Sequence, residues 1–362
     1  MIWPPEIHAA RRRLTGWLLT QAFPIWWSQG ADLVAGGFHD RLGADGEPRP
    51  GPRRCRIPAR QVFAYSAAAD LGWPGPWSEA MDHGLAFLRR VHLRPDGLYR
   101  AVAGADDVDL YDQAFVLLAC ASAARKGRQG ALEIARSLFT RLSPESGGGF
   151  SSLDGASPAA NPNMHLFEAF QALDGVDPDG PWRECAAGQA RLAAMMLVDP
   201  ETGAISEDFA VGWAPPPRAR RRVEPGHQFE WAWLLMRWSL SVGDAPALAV
   251  ALRLIELGEN CGVDEDVVIN ALDGGLEPVD RGTRLWPQTE RLRAALLAGE
   301  ITGDAAFAAM AASALRGLER FLDVPTPGLW RDSLDRDDLS APASSLYHLV
   351  GAVLQMCEIA PV

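Results

Sequence analysis

Two apolar segments of the sequence each carry a histidine that is followed three residues later by a glutamate. They place His165 and Glu168 in NPNMHLFEAF, and His227 and Glu230 in PGHQFEWAWLL. Residues three apart in a helix share one face, so the members of each pair are predicted to lie side by side. An imidazole with a pKa of about 6.5 can take up and return a proton near neutral pH, and a carboxylate beside it tunes that exchange. The pairs therefore indicate general acid–base chemistry.

Other polar and aromatic side chains stand near the starts of similarly apolar segments. A polar group buried on such a helix costs roughly 1–3 kcal/mol unless it is paired, so its presence needs a reason. The residues are Arg60 in ARQVF, Tyr111 in DLYDQAF, Asn161 in NPNMH, Trp286 and Glu290 in LWPQTERL, and His348 in SSLYHLVG. Aromatic faces combined with amide and charged groups are typical of a carbohydrate site.

Two other interpretations of these residues have to be weighed. Taken singly, each histidine could be a core or capping residue, but the recurrence of His165, His227 and His348 in three separate segments favours a shared site. The His-x-x-Glu pairs could also bind divalent iron, manganese or zinc. Helical di-metal proteins use the reverse order, Glu-x-x-His, with bridging carboxylates. We therefore predict no metal and no cofactor.

A recurring turn, in which glycine precedes an apolar residue, divides the chain into units. The six turns contain Gly37, Gly97, Gly149, Gly203, Gly275 and Gly328. Between them lie pairs of Ala/Leu-rich segments with apolar residues at helical spacing. The first segment of each pair is apolar on nearly all sides, as in a helix buried between two layers, and the second carries more Arg and Glu.

Six such pairs predict an all-α fold, a six-hairpin (α/α)6 barrel, with short β-hairpins and long loops at one mouth. An open solenoid would need a polar capping repeat, whereas the final segment, SLYHLVGAVLQMCEI, is as apolar as the central ones. We expect a single catalytic domain over residues 1–362. Closure of the barrel would bring the polar starts of the first helices to one mouth.

Composition restricts the classes of partner. The chain carries a net charge of −12 and a pI near 5.1, which disfavours binding to nucleic acid or to an anionic membrane surface. Five scattered cysteines fit neither a disulfide framework nor a zinc site. With no signal-peptide pattern and no long apolar run, we predict a cytoplasmic monomer or homodimer whose partner is a small sugar. The basic run at 218–222 is interpreted as a solvated loop.

The strings NPNMHLFEA, PGHQFEWAWLL, LWPQTE and SSLYH, together with ARQVF, resemble the N-acylglucosamine 2-epimerase family, and within it the branch of mannose isomerase and sulfoquinovose aldose–ketose isomerase. The resemblance implies an (α/α)6 barrel that isomerises or 2-epimerises sugars without a metal. It implies that His227 and His348 shuttle protons and that Glu230 is paired with His227. The predicted substrate-binding residues are Arg60, Tyr111, Asn161, His165, Glu168, Trp286 and Glu290. Two departures from the common pattern, Gln113 and Asn163, are expected to affect the choice of sugar.

These observations predict an aldose–ketose isomerase for a mannose/fructose-type sugar, acting through a cis-enediolate. His348 is the expected base at C2, His227 the partner for ring opening or the second proton transfer, and Arg60 the donor to the charge on O1 and O2. One alternative is a sugar 2-epimerase on the same scaffold. Another is an α/α barrel that binds or cleaves glycans, with carboxylates drawn from Glu168, Glu230 and Glu290.

Overall fold

Two concentric rings of helices form the structure, a computed structural model that describes residues 1–145, 147–153, 155 and 157–359. The inner helices are α3 (Arg56–Asp70), α5 (Leu110–Arg125), α7 (Ala160–Asp174), α9 (Pro225–Val242), α11 (Leu285–Thr302) and α13 (Ser345–Glu358). The outer helices are α1 (Pro5–Trp17), which continues through a π-turn into α2 (Phe23–Ser28), and α4 (Trp77–Phe87), α6 (Ala131–Phe139), α8 (Trp182–Leu192), α10 (Ala245–Gly262) and α12 (Ala306–Leu322).

The inner ring is closed. Each inner helix contacts the next one along the chain, and α13 contacts both α11 and α3. The predicted six-hairpin barrel is therefore confirmed, with one difference in connectivity within the described residues. Five inner helices pair with the outer helix that follows them, whereas α13 packs against α1 from the other end of the chain.

Burial follows the two kinds of helix predicted from the sequence. In α11 every residue from Pro287 to Gly299 is buried, because its neighbours surround it on all sides. The outer helix α12 buries a single stripe that includes Met310, Ala314 and Leu318, and it turns its charged residues to solvent. In the described part of the chain, no helix combines the length and apolarity needed to cross a bilayer.

Short antiparallel strands occupy the loops that lead into four of the inner helices. They are β1 (Arg41–Leu42), β2 (Arg222–Val223), β3 (Val263–Asp264), β4 (Val267–Asp273), β5 (Pro278–Thr283) and β6 (Ala341–Pro342). β1 pairs with β6, and β4 pairs with β2, β3 and β5. This agrees with the predicted hairpins and long loops at one mouth.

One predicted turn is in a different place. Gly274 and Gly275 lie in the β4–β5 hairpin, and the turn equivalent to the other units joins β3 to β4 at Glu265 and Asp266. Both residues have positive φ, 45° and 72°, without being glycine. The Asp266 carboxylate accepts hydrogen bonds from the side chains of Ser313 and Arg316. These two residues belong to the outer helix α12, and their hydrogen bonds stabilise the strained backbone of the turn.

A buried amide near the start of four described inner helices ties that helix to the preceding turn. In α5, Gln113 accepts a hydrogen bond from the backbone N–H of Tyr99 and donates one to its carbonyl, each at 2.8 Å. The equivalent residues on α7, α9 and α11 are Asn163, Gln228 and Gln288, bonded to Phe150, Ile205 and Val268. We call these residues the amide clamps. They satisfy backbone groups that have no strand partner on that side.

Candidate active site

A cavity of about 520 Å³ lies at the mouth where the inner helices begin. His165, His227 and His348 all line it, as the barrel prediction requires. The other predicted residues in its wall are Arg60, Tyr111, Asn161, Glu230 and Trp286. All six inner helices thus each contribute at least one side chain to one chamber, because their first turns all face the same end of the barrel.

Glu168 and Glu290 lie beneath this cavity and are not part of its wall. Glu168 accepts a hydrogen bond from the Tyr347 hydroxyl and lies 3.4 Å from Nδ1 of His165. Glu290 lies 2.8 Å from Nδ1 of His348. Their contact with substrate stays a prediction. One turn farther along α7 and α11 than the wall residues, the two carboxylates support those residues from below.

His348 is held as a neutral imidazole. The residue is 4% exposed, and burial, with the positive charge of Arg60 nearby, lowers its pKa well below the ordinary value. When Glu290 is ionised it accepts the Nδ1–H, and the unprotonated nitrogen is then Nε2. A neutral imidazole at the cavity surface with one free lone pair is suited to accept a proton.

His227 is held in the opposite state. Its Nδ1 lies 2.7 Å from Oε2 of Glu207 and 3.9 Å from Glu224. Burial opposes the charged form, but these carboxylates outweigh burial and raise the pKa of His227 to about 9. The predicted partner, Glu230, makes no hydrogen bond to it. The loop before α9 brings Glu207 to the ring nitrogen, whereas Glu230 lies one turn deeper in the barrel.

Glu230 is a buried carboxyl group without a donor. Neither of its oxygens has a hydrogen-bond partner among the residues that the structure describes, and its nearest basic atom is Nδ1 of His165 at 3.9 Å. Burial, reinforced by the charge of Glu290, raises the pKa of Glu230 well above its ordinary value. A protonated carboxyl group in the wall can both donate to and accept from a sugar hydroxyl.

The opposite wall is built from α5 and α7. The His165 ring packs against Tyr111 and Phe115, at centroid distances of 5.0 and 4.5 Å, and burial lowers its pKa to about 4. The side-chain oxygen of Asn161 is buried, and no described residue hydrogen-bonds to it. These neutral groups offer hydrogen bonds without adding charge, which suits a polyhydroxylated ligand.

Arg60 differs from the other arginines of the cavity. It donates to the Tyr111 hydroxyl at 2.6 Å and to the carbonyl of Ser344 at 3.3 Å, and no described carboxylate pairs with it. The remaining arginines of the wall each lie beside a carboxylate; the pairs are Arg41–Asp332, Arg54–Asp40, Arg56–Asp112, Arg222–Glu224 and Arg284–Glu224. Arg60 is therefore the guanidinium available to a developing negative charge.

Trp286 forms a flat apolar face between the two candidate proton-transfer groups. Its ring centroid lies 4.8 Å from that of His227 and 5.6 Å from that of His348. Such a face can pack against the C–H surface of a sugar and place it within reach of both imidazoles.

Three of these residues also come close enough to consider a metal ion. One ligand atom from each of Glu230, Glu290 and His348 lies within 4.8 Å of the others. Glu290, however, already engages His348 through one oxygen and Arg293 through the other, at 2.8 and 2.7 Å. A guanidinium beside the site would also repel a divalent cation, so this donor set fits a metal poorly.

Sequence reasoning did not identify Glu207 or Arg293. Glu207 lies in an irregular loop, where no helical spacing relates it to His227. Arg293 did leave a signal, because it follows Glu290 by three residues on a helix that is otherwise almost uncharged on that face. Of the basic run at 218–222, Arg222 lines the cavity, whereas Arg218 and Arg220 are exposed.

Comparison with known proteins gives consistent matches. The chain is 40% identical to a protein of Rhizobium meliloti named mannose-6-phosphate isomerase, over 97% of both chains. It is 30% identical to a D-mannose isomerase of Thermobifida fusca, over 80% of this chain and 82% of the relative. In structure it resembles a D-mannose isomerase with a TM-score of 0.88, at 20% identity over 99% of this chain and all of the other.

A second solved structure, the cellobiose 2-epimerase of Bacillus thermoamylovorans, aligns with a TM-score of 0.87 at 16% identity, over 97% of this chain and all of the other. At such low identity the two structural matches show the fold alone, the same barrel of paired helices. The sequence model of N-acylglucosamine 2-epimerase matches residues 36–352, a span that includes the whole cavity wall. The chain belongs to the N-acylglucosamine 2-epimerase family.

Proposed function

We propose that this protein is an aldose–ketose isomerase for a sugar of the mannose/fructose type. The observation that carries the proposal is the presence, in one cavity, of two histidines whose surroundings move their pKa values in opposite directions. His227 is an acid near neutral pH and His348 a base. Relatives named as mannose and mannose-6-phosphate isomerases support the same reaction.

Each step can be assigned to a side chain in the wall. The imidazolium of His227 donates a proton to the ring oxygen as the bond between C1 and that oxygen breaks, and the neutral imidazole then takes the proton from the O1 hydroxyl, which leaves the open-chain aldehyde. His348 takes the proton from C2, and the electron pair moves toward O1 to give a cis-enediolate. The same imidazole returns the proton to C1, while the hydroxyl proton of O2 passes to O1 and O2 becomes the ketone oxygen. Arg60 stabilises the negative charge on O1 and O2.

A sugar 2-epimerase is the second candidate. It must return the proton to the opposite face of C2, and a second imidazole, His227, lies in the same cavity, with its ring centroid 4.8 Å from that of Trp286. The resemblance to a cellobiose 2-epimerase structure is equally compatible with this reaction. Membership of the N-acylglucosamine 2-epimerase family argues against a barrel that binds or cleaves glycans.

The pairing of the wall arginines favours an unphosphorylated substrate. A phosphate group at the cavity mouth would have to compete with Asp40, Asp332 and Glu224 for guanidiniums that are already engaged. The relative named mannose-6-phosphate isomerase favours the phosphorylated sugar instead. We place free mannose first and mannose 6-phosphate second.

A direct assay tests the proposal. The purified protein is incubated with mannose or with mannose 6-phosphate, each with and without a chelator, and the ketose formed is measured. We expect fructose from mannose at a rate that the chelator does not change. Absence of ketose from both sugars would contradict the proposal, and loss of activity with chelator would restore the metal hypothesis.

Three broader expectations accompany this function. One continuous apolar core, from Trp3 to Ile359, supports a single catalytic domain. Five free cysteines, with Cys55 and Cys120 buried, support a cytoplasmic location. The monomeric or homodimeric state stays a prediction.

A further inference from the structure

Arg293 lies beneath the cavity in a slot fitted to its guanidinium. It is 3% exposed and donates from Nη1 to Oε2 of Glu290 at 2.7 Å. Its Cζ atom lies 3.7 Å from the centroid of the Trp233 ring. On another side is Gly351, where a Cβ would come within 3.3 Å of the same Cζ. The side chain is therefore held in one position, with its charge directed at Glu290.

The surroundings of the Glu290–His348 pair make this charge important. From neighbouring helices, the titratable and charged groups that act on the pair are Arg60 of α3, His165 and Glu168 of α7, and Glu230 of α9. From the pair's own helices they are Arg293 of α11 and Tyr347 of α13. Three carboxyl groups thus share a buried region with two guanidiniums. Arg60 is engaged by Tyr111 and Ser344, whereas Arg293 hydrogen-bonds a carboxylate.

We propose that Arg293 is a positioning residue that keeps Glu290 ionised, so that Glu290 accepts the Nδ1–H of His348 and leaves Nε2 free to take the proton from C2. The last step rests on the proposed function. The hydrogen-bond chain from Arg293 through Glu290 to His348 does not depend on it.

Removal of the guanidinium would reverse the direction of the second hydrogen bond. Burial raises the pKa of Glu290, and Arg293 is the largest influence that opposes this rise. A protonated Glu290 would donate to Nδ1 of His348, whose proton would then reside on Nε2. In that tautomer the nitrogen that should accept the C2 proton already carries one, so the geometry would be preserved and the base lost.

The first experiment observes the tautomer directly. Wild-type protein and Arg293→Met are labelled with ¹⁵N-histidine, and the ring nitrogens of His348 are assigned by comparison with His348→Gln. We expect the Nδ1–H tautomer in the wild type and the Nε2–H tautomer in Arg293→Met. The kcat should fall by about 10²–10⁴-fold, the contribution of a positioned proton-transfer group, with little change in KM.

Arg291→Met is the matched control. Arg291 lies on the same helix, is 1% exposed, and pairs with Glu259 of the outer helix α10. Its loss removes an equally buried arginine on the side of α11 away from the cavity. We expect a lower melting temperature with kcat and the His348 tautomer unchanged, which separates positioning from a general loss of stability.

Two further variants keep the test decisive if Arg293→Met fails to fold. Arg293→Lys retains the charge and should recover most of the lost kcat. In a Glu290→Gln background Arg293 has no carboxylate to hold at that position, so adding Arg293→Met should cause no further loss of kcat. A further loss of more than about tenfold would overturn the proposal, since Arg293 would then act by another route.

Measurement of the His348 tautomer also distinguishes a failure of the Arg293 proposal from a failure of the proposed function. If wild-type protein isomerises no sugar but Arg293→Met still changes the tautomer, the function is wrong and the positioning role is correct. A folded Arg293→Met that keeps the Nδ1–H tautomer and wild-type kcat overturns the positioning role alone.

Discussion

Nδ1 of His348 lies 2.8 Å from Oε1 of Glu290, yet burial keeps the ring neutral by lowering its pKa. The similar pairing of His227 with Glu207, at 2.7 Å, leaves that ring charged. The difference lies in the second neighbours. Burial favours the neutral ring at both positions, and around His348 the positive charges of Arg60 and Arg293 act in the same direction, whereas Glu207 and Glu224 outweigh burial at His227. One type of contact therefore produces a base in one position and an acid in the other.

Removal of either ring should abolish turnover. We expect His348→Ala and His227→Ala to lower kcat by about 10²–10⁴-fold, because each removes a proton-transfer group. Helical circular dichroism should be unchanged, because each substitution shortens one side chain at the cavity and alanine is a good helix former. Activity is measured as ketose formation from mannose.

The control for both variants is His83→Ala. His83 donates a hydrogen bond from Nε2 to the carbonyl of Gly37 and packs against Trp27 and Phe38, away from the cavity. Its loss should lower the melting temperature and leave kcat unchanged. If either cavity variant retains activity within tenfold of the wild type, that histidine has no part in proton transfer.

Glu207→Gln should move the alkaline limb of the pH–rate profile. In the wild type we expect activity to fall as pH rises through about 9, where His227 loses its proton. Without the Glu207 carboxylate the pKa of His227 falls, so the decline should begin at lower pH. Glu201→Gln, in the same region but exposed and paired with Arg218, is the control. An unchanged alkaline limb in Glu207→Gln would remove His227 as the acid.

The same ionisation should appear in the stability of the fold. The pKa of His227 is higher in the folded protein, about 9, than in an unfolded chain, about 6.5, so the folded state binds its proton more tightly. This contribution to the free energy of unfolding is complete below pH about 6.5 and is lost as pH rises through about 9. Urea unfolding at several pH values should show this loss in the wild type and a smaller one in Glu207→Gln.

Mannose in deuterated water distinguishes isomerase from epimerase. We expect fructose as the dominant early product by NMR, since one base, His348, can serve both C2 and C1 on the same face of the enediolate. Deuterium at C1 will report how far that base exchanges with solvent. Glucose that forms from mannose at an equal or faster initial rate would instead identify a 2-epimerase.

The amide clamps should contribute to stability and not to substrate selection. Gln113→Ala leaves the N–H and carbonyl of Tyr99 without their partner, at a cost of about 1–3 kcal/mol for each buried group left unpaired. Denaturant unfolding should show that loss, while KM for mannose stays unchanged. A large change in KM at wild-type stability would return Gln113 to the sugar site.

This assignment corrects one expectation drawn from the sequence. Gln113 and Asn163 differ from the residues common in the family at positions beside sugar-binding ones, which suggested an effect on substrate. In the structure both side chains are buried and point their hydrogen bonds at turn backbone, away from the cavity. Adjacent residues on a helix face different directions, so proximity in sequence to Asn161 did not mean proximity to the ligand.

The closed barrel and most of the cavity wall were predictable because both follow from helical periodicity. Polar residues near the start of an apolar helix, such as His165 and His227, can be recognised from the sequence alone. The partner of His227 was not predictable, since Glu207 reaches it from an irregular loop whose path depends on tertiary packing. The turn at Glu265–Asp266 was missed for a related reason, because side chains of α12 stabilise a conformation that glycine usually adopts.

The pairing of α13 with α1 bears on the order in which activity is acquired during folding. Thr15 and Cys357, which meet across this pair, are 342 residues apart in the chain, whereas the other helix pairs are neighbours in sequence. Contacts between residues so far apart in the chain have a large entropy cost of loop closure, so we expect them to form late in folding. A refolding chain should therefore regain most of its helical circular dichroism signal before α13, which carries His348, packs against α1. Enzymatic activity should return as the slowest signal.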